Sequence, residues 1–204
     1  MPLRKLILIR HGETDGLSSV RFYGSTDVPL SESGKAQMRR VAARLRETPV
    51  DRWVASSLSR SWAGAVIASR GAKVKLEADF REIHFGRWEG MTAEEIRATD
   101  PVRYEDWQNG AEGFEYPNGE LRAAFRGRVG SALVRLLAED ARTAACVLHK
   151  GVIREIVRAL TGTALDRRKL AVGELVELTR TPAGDWLLGS RSSDPAGLNE
   201  EAAA

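Results

Sequence analysis

Leu6-Ile7-Leu8-Ile9-Arg10-His11-Gly12-Glu13-Thr14 is the stretch that decides how this chain is read. Four consecutive apolar residues predict a strand buried on both faces of a parallel sheet. The strand runs straight into Arg-His-Gly, where a core strand would ordinarily meet a bland turn. In an open α/β sheet, ligands bind outside the carboxyl ends of the strands. That places Arg10 and His11 on a rigid element at the mouth of a cleft. On this stretch alone, a plainer assignment stands equally: Arg10 a surface charge at a strand end, His11 a turn histidine with its hydrogen bonds satisfied.

A second stretch repeats the pattern. Thr143 to Leu148 is apolar enough for a buried strand, ends at His149, and leads through Lys150-Gly151 into a helix with Ile153, Ile156, Val157 and Leu160 on one face. Between the two, Ser31 can cap a helix carrying Met38, Val41, Ala42 and Leu45. Arg52 to Ser56 reads as a strand, followed by a helix with Trp62, Val66 and Ile67 as its apolar face and Gly71 at its end. Val74 to Glu77 reads as an edge strand. Residues 79–119 gather Trp88, Tyr104, Trp107 and Tyr116 among glycines and acids, and Thr92-Ala93-Glu94-Glu95 fits a capping box. This region is expected to be an insertion over the ligand end of the sheet. Its aromatic residues either line a substrate pocket or pack the insertion down.

The longest helix is expected from Glu120 to about Asp140, with Leu121, Phe125, Val129, Leu133, Leu136 and Leu137 as its stripe. Gly127 and Gly130 inside it would each cost about 1 kcal/mol relative to alanine and suggest close packing. Leu175 to Thr179 and Trp186 to Gly189 form a closing antiparallel hairpin, and the tail 191–204 reads as disordered. One domain is expected over 1–190.

The 204 residues carry a net charge of +3, with scattered arginines and no basic run or aromatic-basic interleaving of the kind that binds nucleic acid. Scattered guanidiniums suit a small phosphate or carboxylate ligand. Cys146, the only cysteine, permits no intramolecular disulfide and sits in an apolar strand, as a buried structural thiol would. No apolar segment reaches membrane-spanning length and the N-terminal apolar run is too short for a secretory signal. A cytoplasmic location is the expectation.

Histidines and arginines converging at strand ends suggest phosphoryl chemistry. Arginine supplies fixed positive charge with directed donors. Neutral imidazole is a competent nucleophile at phosphorus, and neighbouring guanidiniums would keep it neutral. A carboxylic acid is then needed to protonate the departing alkoxide.

Leu8-Ile9-Arg10-His11-Gly12-Glu13-Thr14 resembles the signature of the histidine phosphatase superfamily, also called phosphoglycerate mutase-like. The resemblance continues in order through Arg21-Phe22-Tyr23-Gly24, Asp27-Val28-Pro29-Leu30-Ser31, Gly34, Ser56-Ser57-Leu58-Ser59-Arg60, Arg81 to Gly90, and His149-Lys150-Gly151-Val152-Ile153-Arg154. It implies an α/β fold, a three-layer α/β/α sandwich with a mostly parallel central sheet and an insertion over the active site. It implies further that His11 is the phosphorylated nucleophile, with Arg10, Arg60 and His149 around the phosphoryl group. Glu82 would be the acid toward the leaving alcohol and then the base toward water. Arg21, Tyr23, Gly24 and Lys150 are further candidates for substrate contact. No metal and no cofactor is implied. The partner is a small phosphorylated substrate, and members are often dimers, so a homodimer is an expectation.

The chain departs from the family pattern at five positions: Leu17 stands where Asn is usual, Ser61 and Gly64 replace Ala and Thr, Leu121 stands where phosphatases often have Ser, and Lys150 fills a small-residue position. Lys150 would either add a cation at the pocket rim or be a solvated turn lysine. His84 could join the other two histidines in a zinc site, but it shares no ligand spacing with them. Glu13 and Glu89 are expected to hold arginines or backbone amides. The leading functional expectation is a metal-independent phosphomonoesterase with an acidic-to-neutral optimum. One alternative is a phosphoglycerate mutase, disfavoured by the acidic residues Glu105, Asp106, Glu112 and Glu115. The other is a non-catalytic phosphate-binding module on the same fold.

Overall fold

The computed structural model describes residues 2–166 and 170–192. Six strands form one sheet in the order β3-β2-β4-β1-β5-β6: β1 Lys5–Arg10, β2 Arg52–Ser56, β3 Val74–Glu77, β4 Thr143–Leu148, β5 Leu175–Arg180 and β6 Trp186–Ser192. The pairs β1/β4, β2/β4 and β2/β3 are parallel, whereas β5 is antiparallel to both β1 and β6. Among the described residues six α-helices accompany the sheet: α1 Glu32–Arg44, α2 Ser59–Ala68, α3 Ala93–Thr99, α4 Pro101–Asn109, α5 Arg122–Leu137 and α6 Lys150–Thr161.

Strand alternation sorts the apolar residues into two cores. Leu6, Leu8, Ala144, Cys146 and Leu148 face α5 and α6 through Phe125, Val129, Leu133, Ile153 and Ile156. Ile7, Ile9, Ala145 and Val147 face α1 and α2 through Met38, Val41, Ala65 and Ala68. The result is the three-layer α/β/α sandwich expected. Both β1 and β4 are covered on both faces, so their residues read as continuous apolar runs. The helix after β1 lies on one face and the helix after β4 on the other, which opens a crevice between the carboxyl ends of these neighbouring strands.

Helix starts follow local chemistry. The Ser31 side chain accepts the Gly34 N–H, and Thr92 with Glu95 forms the complete capping box. The insertion has its own small core, in which Trp88, Ile96 and Phe114 are buried and Phe22, Phe85, Trp107 and Tyr116 pack edge-on around them. These aromatic residues pack the insertion down.

Four expectations need correction. Trp62 and Val66 are exposed, and α2 instead buries Arg60, Ser61, Gly64, Ala65 and Ala68 against the sheet. Small residues let this helix approach closely, so its inner face is not its most apolar one. Gly127 and Gly130 mark no close packing, since a Cβ at either would meet nothing within 4 Å. Leu121 is an exposed residue preceding α5 rather than part of its buried stripe. Arg191 and Ser192 belong to β6, where Arg191 donates from Nη2 (2.6 Å) and Nε (2.9 Å) to one oxygen, Oε1, of the buried Glu174. The remainder of the expected tail, 193–204, lies outside the described residues.

Cys146 is fully buried in β4, and burial pushes its thiol up to about 12. Cys146 is therefore expected to resist a thiol-specific reagent in native buffer and to react fully in denaturant, with labelling that follows the unfolding curve. Rapid labelling of the native protein would contradict the fold.

Candidate active site

Parallel pairing of β1 with β4 aligns Arg10 with Leu148, so the next residue of each strand is a histidine. The His11 and His149 rings consequently meet edge to face, centroids 5.1 Å apart. Arg60 arrives from the first turn of α2, and Glu82 from the irregular segment after a 3-10 turn at Ala78–Phe80. Arg10, His11, Arg60, Glu82 and His149 are all buried, His149 and Arg60 almost completely.

His11 Nδ1 lies 2.7 Å from the Gly12 carbonyl oxygen. A carbonyl only accepts, so Nδ1 carries the proton and Nε2 presents its lone pair. Burial, then the charges of Arg60 and Arg10, hold the imidazole well below its ordinary pKa. Burial and Arg60 do the same for His149. Both rings are thus neutral at physiological pH. His149 Nδ1 and Nε2, and Arg60 Nε, are buried without a protein hydrogen-bond partner among the described residues. Buried polar groups left in this state call for a ligand.

The guanidiniums are held by main-chain carbonyls. Arg10 donates to Leu170 (2.6 Å) and Ser18 (3.0 Å). Arg60 donates to Thr26 (2.8 Å), Gly24 (2.6 Å) and Tyr23 (3.2 Å). The nearby carboxylates take backbone amides. Glu13 accepts from Thr14, Ser18 Oγ and Ser19, while Glu89 accepts from Gly24, Ser25, Thr26 and Phe85. Of the two partner types expected for Glu13 and Glu89, these contacts are to backbone amides, with the Ser18 hydroxyl added at Glu13.

Glu82 sits on the first turn of α6. Its Oε2 accepts the Gly151 N–H at 2.7 Å and its Oε1 the Ile83 N–H at 3.0 Å. These bonds and the charge of Arg60 favour the carboxylate, but burial outweighs them and raises its pKa above the ordinary value. Close approach requires glycine here: a Cβ on Gly151 would stand 2.4 Å from Glu82 Oε1.

The secondary candidates divide. Gly24 offers its backbone to Arg60 and Glu89, and the half-buried Tyr23 ring packs against Gly16. Arg21 is turned to the insertion, donating to the Gly90 carbonyl (2.6 Å) and Glu95 (3.0 Å). Lys150 is the half-buried first residue of α6. His84 Nδ1 accepts the Gly86 N–H, and among the described residues no three His, Cys, Asp or Glu side chains group as metal ligands.

Two of the departures acquire a structural account. Ser61 Oγ donates to the Val147 carbonyl and accepts the Ser56 N–H, tying the ends of β2 and β4 beneath the site. Leu17 holds a left-handed conformation (φ 61°) at 54% exposure, a backbone that Asn tolerates better than Leu. Sequence reasoning did not find Gln37, whose side chain accepts the Glu13 N–H, or Arg128 and Glu120, which reach the Glu82 segment. No local pattern marks such contacts, because each spans more than twenty residues of chain.

The model of the histidine phosphatase superfamily (branch 1) matches residues 6–189. An adenosylcobalamin/alpha-ribazole phosphatase of Salmonella typhimurium is 31% identical over 163 residues, covering 76% of this chain and 79% of the relative. Phosphoserine phosphatase 1 of Hydrogenobacter thermophilus is 30% identical over 166 residues, 80% of this chain and 79% of the relative. The solved structure of a mycobacterial glucosyl-3-phosphoglycerate phosphatase complexed with VO3 superposes with a TM-score of 0.77 at 27% identity, covering 91% of this chain and 97% of that one. Family match, fold and strand-end histidine pair agree, and the chain belongs to the histidine phosphatase superfamily, branch 1.

Proposed function

We propose that this chain is a metal-independent phosphomonoesterase acting on a small phosphorylated metabolite through a phosphohistidine at His11. The observation that carries the reading is the neutral His11 ring, its Nδ1–H fixed on the Gly12 carbonyl, beside His149 and two buried guanidiniums. The phosphatase names of the relatives at about 30% identity support the reaction class.

In the first step the His11 Nε2 lone pair attacks phosphorus while the ester P–O bond breaks. Glu82, whose hold on a proton is strengthened by burial, gives its proton to the departing alkoxide. Arg10, Arg60 and an N–H of His149 receive the charge on the transferring oxygens. In the second step the Glu82 carboxylate takes a proton from water, whose oxygen attacks phosphorus as the P–N bond breaks. Inorganic phosphate leaves, and both side chains return to their starting states.

Release of phosphate from p-nitrophenyl phosphate and a metabolite panel, in EDTA, tests the reading. The wild type is expected to turn over in EDTA and His11→Ala to lose roughly 10³-fold or more of kcat/KM. Turnover by His11→Ala at the wild-type rate would reject it.

The pH dependence follows from the two shifts. His11, lowered, stays neutral until well into the acid range, so activity is lost only as pH falls through that lowered pKa. Glu82, raised, stays protonated above the ordinary carboxyl range, so activity toward alkyl esters falls as it ionises. The expected optimum is on the acid side of neutral, with the alkaline limb absent in Glu82→Gln. Gly151→Ala should lower kcat/KM by about 100-fold through displacement of Glu82. Its melting temperature should not fall, since alanine suits a helix better than glycine.

A further inference from the structure

The carboxyl of Glu82 is carried by a segment without regular backbone pairing, yet its direction decides whether a proton reaches the leaving oxygen. We infer that Arg128, locked to Glu120, is a positioning residue that aims Glu82 by clamping the main chain on either side of it. This rests on the acid role proposed for Glu82.

All five N–H donors of the Arg128 guanidinium are engaged. Nη1 donates to the carbonyls of Asp79 (2.7 Å) and Arg81 (2.6 Å). Nη2 donates to the Glu82 carbonyl (3.1 Å) and to Glu120 Oε2 (2.8 Å), and Nε to Glu120 Oε1 (2.7 Å). The guanidinium also lies 4.9 Å from the Phe125 ring centroid, within cation–π range. Glu120 extends the clamp beyond Glu82. Its Oε2 accepts the His84 N–H (3.3 Å), and its own N–H donates to the His84 carbonyl (2.9 Å).

Thus the chain is tied on both sides of residue 82 to the first half of α5 and the residue Glu120 just before it, and the inner face of α5 is packed against the sheet through Phe125, Val129 and Leu133. Arg128 and Glu120 are each about one-fifth exposed, so water competes weakly for these bonds. Lysine could not substitute. Its three donors on one nitrogen cannot grip a carboxylate bidentately and three divergent carbonyls at once. In kcat/KM, positioning of this kind shows only when the departing oxygen needs a proton, because the later step in which Glu82 takes a proton from water follows loss of the alcohol. An aryl oxide that leaves readily as an anion does not need one.

The test compares kcat/KM for β-glycerophosphate, an alkyl ester, with that for p-nitrophenyl phosphate, in the wild type, Arg128→Lys, Glu82→Gln and the double variant. Arg128→Lys is expected to lose about tenfold or more on the alkyl ester and less than about threefold on the aryl ester. Glu82→Gln should show the same selectivity more strongly, and the double variant should match Glu82→Gln because the clamp then has no acid to aim. If Arg128→Lys changes both esters equally, or neither, Arg128 merely supports the fold and the inference is overturned. If Glu82→Gln itself leaves the ester ratio unchanged, the acid role of Glu82 fails, and the clamp falls with it.

Discussion

Everything in this structure answers to the burial of two guanidiniums beside two imidazoles at the ends of β1 and β4. A buried cation costs several kcal/mol unless it is solvated by the protein. Here the solvation comes from carbonyls: Leu170 and Ser18 around Arg10, Tyr23, Gly24 and Thr26 around Arg60. Carbonyl dipoles hold a guanidinium without cancelling its charge. The loops 14–26 and 170–174 are therefore shaped to point oxygens at arginines.

The carboxylates complete the same logic. Glu13 and Glu89 are turned to backbone amides rather than hydrogen-bonded to Arg10 or Arg60, which orders the loops around the site. Glu82 is the exception, placed deep in the site, where burial raises its proton affinity above that of an ordinary carboxyl. The histidines respond in the opposite sense and remain neutral. One environment thus shifts the two kinds of group oppositely, imidazole toward its neutral form and carboxyl toward its protonated form, as the proposed nucleophile and acid require. The close approaches this requires are met by glycine: a Cβ on Gly12 would come within 2.4 Å of the Gly34 carbonyl oxygen, and one on Gly24 within 1.9 Å of that of Ile83.

How far the chain discloses this depends on where the information lies. The runs 6–9 and 144–148 are buried on both faces, so composition alone marks them as central strands, and their terminal histidines become neighbours once the pairing is parallel. The capping box at Thr92 is equally local. The buried face of α2 was illegible because close packing there selects Ser61, Gly64 and Ala65 over larger apolar residues, leaving Trp62 outside. Arg21 resembles a ligand arginine in sequence, but pairing of residue 21 with Thr92 turns its side chain to Glu95. Arg128 lies on a helix 46 residues from Glu82, and only the tertiary fold brings them together.

The central claim is that phosphorus is captured by Nε2 of His11. Rapid-quench single turnover under neutral-to-alkaline conditions, followed by peptide mapping and NMR of histidine-labelled protein, measures this directly. The account predicts a transient phosphoryl group on Nε2 of His11, formed and lost at rates that match turnover. A phosphoryl group on Nδ1 or on His149, or phosphate release with no enzyme adduct at any time, would contradict it.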